Sequence, residues 1–224
     1  MKTYKMLLSL IMGGMLTTSC ISDFLDLDPL DSQTEAIYFK TLADFQYVAN
    51  DLHTNVWAWN GNDTYGLNFD YGTDLILNGA DNVSGTNSAP TSDKYWDKAY
   101  EWLRKVNILI SKGENYSNQE EIAAPVGQAY FFRAWHHFFL LKRYGGVPVV
   151  DKVIDYPASV SFEDTKLFRA SEEDTWDFIG ADLDKAIELL PESNQKGRAN
   201  KYAAAALKSR IMLHAGSIAK YNTV

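Results

Sequence analysis

The residues best suited to do chemistry lie between positions 57 and 81. Trp57, Trp59, Asn60, Asp63, Tyr65, Asp70, Tyr71, Asp74 and Asp81 combine flat aromatic faces with amides and carboxylates. Aromatic faces cover the C–H surface of a sugar ring, and amides and carboxylates bond its hydroxyls, so the set suits a glycan held by a few polar contacts in an apolar cleft. We take Trp57, Trp59, Asn60, Tyr65, Tyr71, Asp74 and Asp81 as candidate ligand contacts. The plainer reading is that the tryptophans close a helix core and the rest is solvated loop.

No catalytic or metal site stands out. The four histidines, His53, His136, His137 and His214, include no pair one helical turn apart; adjacent His136 and His137 point about 100° apart on a helix. The Asn- and Asp-rich stretch at 60–82 lacks the twelve-residue calcium-loop pattern. With 29 acidic residues a carboxylate pair at glycosidase spacing remains an open alternative, although none is marked out. Arg133 lies inside an apolar helix and requires a partner, so it reads as a structural ion pair. Lys142 and Arg143 close the same helix at its carbonyl end, where cations are favoured.

Cys20 is the only cysteine, which excludes an intrachain disulfide and a paired-cysteine zinc site. Residues 1–19 read as an export leader: a basic start with Lys2 and Lys5, a short apolar run at 6–16, and small residues before Cys20. The run is shorter than the roughly 20 residues a transmembrane helix needs. The arrangement resembles a bacterial lipoprotein signal, with Cys20 as the lipidated first residue and Leu16 four positions before it. Residues 20–40 then form an acidic tether and lead-in, with Asp28 held out of helix by Pro29. Without the leader, 19 cationic and 29 acidic side chains leave a formal charge of -10, which disfavours a nucleic-acid partner.

The elements that must position these residues are helical, within a domain spanning 41–224. A first helix begins at Thr41, capped with Asp44, and Leu42, Phe45, Ala49, Leu52, Val56 and Trp59 form its apolar face. A second spans about 93–112, with Ser92 as cap, Trp96, Ala99, Leu103, Val106 and Ile110 inward, Trp102 off that face, and Gly113 as stop. A third, about 125–144, is apolar almost all round and should be central. A fourth follows Ser171, capped with Asp174, carries Trp176 inward and ends at Pro191. A fifth covers about 200–220. Trp135 is expected in the core with Trp96 and Trp176. No strand pattern is convincing, although 147–150 reads as extended, and the helix pairs show no alignable repeat of about 34 residues.

Five segments in order resemble the SusD/RagB family of outer-membrane nutrient-binding lipoproteins. They are Trp96, Tyr100 and Asn107; Gly127 to Ala134 continued through Leu140 to Pro148; Arg169-Ala170-Ser171; Asp182-Leu183 with Leu189-Leu190-Pro191; and Gly197-Arg198-Ala199 with Lys201, Ala203 and 208–213. The resemblance implies an all-α fold of tetratricopeptide-like helix pairs with long irregular loops. It implies a glycan or other nutrient as ligand, a SusC-like TonB-dependent barrel as partner, no cofactor and no enzymatic activity. Family members are considerably longer, so the chain is expected to correspond to their amino-terminal part. A helical scaffold that binds only the barrel is the alternative.

Overall fold

The computed structural model describes residues 38–55, 92–154, 163 and 166–221. The chain divides into compact units at Met1–Lys40 and Thr41–Val224, and every helix below belongs to the second.

Helix α1, Leu42–Leu52, starts where the sequence places it. The Asp44 N–H donates to the Thr41 side chain, and the Thr41 N–H donates back to the Asp44 carboxylate at 2.8 Å. Such reciprocal caps contribute about 1 kcal/mol. The helix buries Phe45, Ala49 and Leu52, then tightens into a 3-10 turn at His53–Asn55. Val56 and Trp59, expected to extend its face, lie outside the described residues.

Helix α2, Lys94–Glu114, is capped by Asp93, whose carboxylate accepts from the Tyr95 N–H at 2.9 Å. This corrects the expected Ser92 cap by one position. Asp93 is the residue with extended backbone beside the first turn, and its oxygen reaches the orphan donor. Gly113 is likewise not the stop: the helix continues to Glu114 and ends at Asn115. Gly113 instead permits close approach, since a Cβ there would lie 2.7 Å from Val126 Cγ2.

Helix α3, Ala123–Tyr144, is central. It packs against α1, α2 and helix α4, Glu172–Leu189, and it buries residues on several sides, among them Phe132, Arg133, His136, His137, Phe139 and Leu140. At its end Gly145 takes φ 72° and donates its N–H to the Leu141 carbonyl at 2.9 Å. A side chain would resist that backbone. Ser171 caps α4 as expected, with the Asp174 N–H donating to its hydroxyl at 3.0 Å. Leu190, extended before Pro191, terminates the helix. Helix α5, Lys201–Tyr221, packs on α4; the Asn200 side chain accepts from the Ala203 N–H at its start.

One core cluster joins α3, α4 and α5 through Ala134, Leu141, Ile179, Leu183, Leu207 and Ile211, with Trp135 and Trp176 half-buried against it. Another joins α2 and α3 to the following segment through Ala99, Leu103, Leu140 and Val147, with Trp96 half-buried alongside. Trp102, off the main apolar face by spacing, is nonetheless buried; it lies nearly parallel to the His136 ring and under Lys105 Nζ at 4.0 Å. Among the described residues there is no strand, so the all-α fold class holds.

Candidate functional site

The residues assigned from the sequence to ligand binding, Trp57, Trp59, Asn60, Tyr65, Tyr71, Asp74 and Asp81, lie outside the described residues, as does Cys20. What the described helices present is a buried polar centre and, at one end of α3, an open cleft.

The polar centre is built on Arg133. Its Nε and Nη2 donate to the two Asp182 oxygens at 2.8 and 2.7 Å, and its Nη1 donates to Asn107 Oδ1 at 3.0 Å and to the Asp151 carbonyl at 2.8 Å. The Tyr130 and Phe178 rings each lie 5.1 Å from the guanidinium carbon. Arg133 and Asp182 are 6% and 3% exposed, so the pair has left water. Burial pushes the Asp182 carboxyl above its ordinary value, against the pull of Arg133. With the guanidinium engaged on Asp182, Asn107 and Asp151, this is a clamp rather than a reacting group.

The clamp holds residues 147–154, an irregular strap. Side chains of the helices satisfy its backbone groups. Tyr100 donates to the Pro148 carbonyl at 2.8 Å, Asn107 to those of Val150 and Lys152 at 3.0 and 3.3 Å, and Arg104 to that of Ile154 at 2.8 Å. The Val150 N–H donates to His137 Nε2 at 3.3 Å, while His137 Nδ1 donates to the Arg133 carbonyl at 2.9 Å. This pattern fixes a neutral tautomer. Burial pulls the His137 imidazole down to about 4 and the His136 imidazole to about 3. Arg169 closes the strap's start by donating to the Tyr144 and Gly146 carbonyls at 3.0 Å each, with Trp96 under its guanidinium.

The cleft lies where α2 ends, α3 begins and α4 passes. Its volume is about 330 Å³, and it is lined by Gly113, Glu114, Gln119, Ile122, Ala123, Val126, Tyr130, Lys185, Glu188 and Leu189. Two glycines bring the walls together. Gly113 admits Val126, and Gly127 admits α4, where a Cβ would come within 3.0 Å of Leu189 and Leu190. Sequence reasoning missed this cleft because its walls come from separated stretches with no local motif. Among the described residues no group of three or more His, Cys, Asp or Glu could hold a metal, and no helix is long and apolar enough to cross a membrane.

Comparison with known proteins bears on these features. Residues 23–213 match the SusD-like family described as starch-binding and associating with the outer membrane. The chain is 26% identical to SusD-like protein P2 of Formosa agariphila, across 98% of this chain and 45% of that protein. It is 24% identical to a SusD-like protein of Bacteroides ovatus, across 92% of this chain and 39% of that one. The chain thus spans less than half the length of these relatives. Among solved structures, a SusD-like protein of Bacteroides fragilis superposes with a TM-score of 0.60 at 29% identity, over 84% of this chain and 37% of that one. A laminarin-binding SusD-like protein superposes with a TM-score of 0.62 at 21% identity, over 79% and 40%, a likeness of fold.

Proposed function

The chain belongs to the SusD-like family, and from that premise we propose that it is a cell-surface lipoprotein that binds a glycan and delivers it to a SusC-like TonB-dependent outer-membrane transporter. The observation that carries the reading is the family match over residues 23–213, whose description is starch-binding and association with the outer membrane. The residues that carried the resemblance in the sequence, Trp96, Tyr100, Asn107, Arg133, Arg169 and Asp182, meet around one strap. The solved relatives described with xylogluco-oligosaccharide and as laminarin-binding support a glycan as the ligand. Cys20 is the proposed lipid attachment site, and more than one acyl chain at about 0.8 kcal/mol per buried methylene would anchor the chain stably. Trp57, Trp59, Asn60, Tyr65, Tyr71, Asp74 and Asp81 remain the proposed ligand contacts. The protein binds without cleaving.

The test is affinity electrophoresis of the purified chain in gels containing starch, laminarin or xyloglucan, with an assay for new reducing ends. Retardation without new ends is expected, and a variant with Trp57, Trp59, Tyr65 and Tyr71 changed to alanine should be retarded less. New reducing ends would make the protein a glycoside hydrolase. Migration unchanged in every gel would leave a helical scaffold that engages only the transporter.

A further inference from the structure

We propose that the cleft between the end of α2, the start of α3 and the last turn of α4 is a second sugar-binding site, which takes one end of a neutral oligosaccharide independently of residues 57–81. The proposal rests on the glycan reading above.

The cleft has the anatomy of a small-ligand site. Its volume of about 330 Å³ falls at the lower end of the roughly 300–1,000 Å³ usual for such sites. Ala123, Val126 and Tyr130, one helical turn apart in succession along α3, give it a half-exposed apolar floor suited to the C–H face of a pyranose. Around the floor stand polar groups of both kinds: the Glu114 and Glu188 carboxylates accept, and the Lys185 ammonium and Tyr130 hydroxyl donate.

Among the described residues these four side chains form no hydrogen bond or ion pair, whereas nearby Lys208 and Asp184 on α5 and α4 are paired with each other. The cleft therefore concentrates unspent hydrogen-bonding capacity beside an aromatic ring. Tyr130 stays a donor over the whole physiological range, as any tyrosine phenol does, and burial raises it further above its ordinary value.

Charge selects the ligand. Two carboxylates against one ammonium leave the rim net negative, so uronates, sulfated sugars and phosphates are repelled. Neighbouring sugar hydroxyls, each both donor and acceptor, match a rim that mixes acceptors and donors. The site is also held rigidly. Gly113 lets α2 pack closely on α3 and Gly127 lets α3 pack closely on α4, so the walls are set by tight helix contacts before any ligand arrives.

The experiment follows NMR shifts of the isotope-labelled full chain titrated with maltohexaose, laminarihexaose or a xyloglucan oligosaccharide. It uses the native chain, Lys185→Met/Glu188→Gln, and the four-aromatic alanine variant at 57, 59, 65 and 71. Both cleft positions are exposed, so the double variant should keep the native melting temperature. The proposal requires saturable shifts at Ala123, Val126 and Tyr130 with at least one neutral probe. They should weaken by about tenfold in the double variant, as expected for lost charge-assisted hydrogen bonds, and persist in the four-aromatic variant. Binding confined to residues 57–81, or cleft shifts unaffected by the double variant, overturns the second site and leaves the glycan reading standing. No shift anywhere with any probe overturns both.

Discussion

Arg133 and Asp182 are 49 residues apart in the chain and meet through two parallel hydrogen bonds of 2.8 and 2.7 Å, inside a core where neither is more than 6% exposed. Arg133 also ties Asn107 and the strap to the same point, so α2, α3, α4 and the strap share one guanidinium. Arg133→Met should destabilise the chain by about 3–5 kcal/mol, because it leaves the Asp182 carboxylate buried without its cation. The urea midpoint at constant slope reads this directly. Arg133→Met/Asp182→Leu should cost less than the two single changes added together, since each single change strands the other's partner.

Stability should fall with acid below about pH 6.5. His136 and His137 titrate near 3 and 4 when folded but near 6.5 when unfolded, so the unfolded chain binds more protons between those limits. Their contribution is complete above pH 6.5 and is lost as pH drops toward the folded values. Two protons taken up on unfolding give a slope of up to about 2.7 kcal/mol per pH unit. Asp182, raised by burial, works in the opposite sense. Denaturant midpoints between pH 7 and 4 check the slope, and His137→Gln should roughly halve it.

Asn107→Ala should loosen the strap without unravelling α2. It strips the Val150 and Lys152 carbonyls of their donor and takes an acceptor from Arg133. The cost is about 1–3 kcal/mol. Hydrogen exchange should quicken at residues 150–152 while the α2 amides keep their protection.

Gly146→Ala should be among the most damaging single changes. A Cβ there would lie 2.2 Å from the Ala170 carbonyl and 3.1 Å from the Ser171 backbone, neither of which can rotate away. A loss of about 3 kcal/mol, the upper range for overpacking, is expected from thermal melts. Gly197→Ala is the informative contrast: no atom lies within 4 Å of its added Cβ, and only its φ of 88° opposes a side chain.

Helix starts were readable where a Ser or Thr stands three residues before an Asp. Thr41 with Asp44 and Ser171 with Asp174 each close a loop of three residues, and both form as the sequence predicts. Ser92 and Asp93 are adjacent residues that can both cap, and only the backbone path decides between them. Gly113 was misread because a glycine that admits a neighbouring helix looks, in one dimension, like a glycine that ends its own. The need for an Arg133 partner was evident from its apolar surroundings, but which of 29 acids supplies it depends on how α3 meets α4. The cleft left no trace in the sequence, since its floor and walls become neighbours only after α2, α3 and α4 pack.

The strap has a further consequence. Its carbonyls are bound by side chains at 100, 104, 107 and 133, so the instructions for its path are written outside it. Exchanging its own outward side chains should hardly matter. Deleting Val149 would instead shift the carbonyls of Val150, Asp151, Lys152 and Ile154 by one place at once, against donors at 104, 107 and 133 that stay fixed. Apart from Val147, which packs in the core, the segment should therefore tolerate changes of composition far better than changes of length.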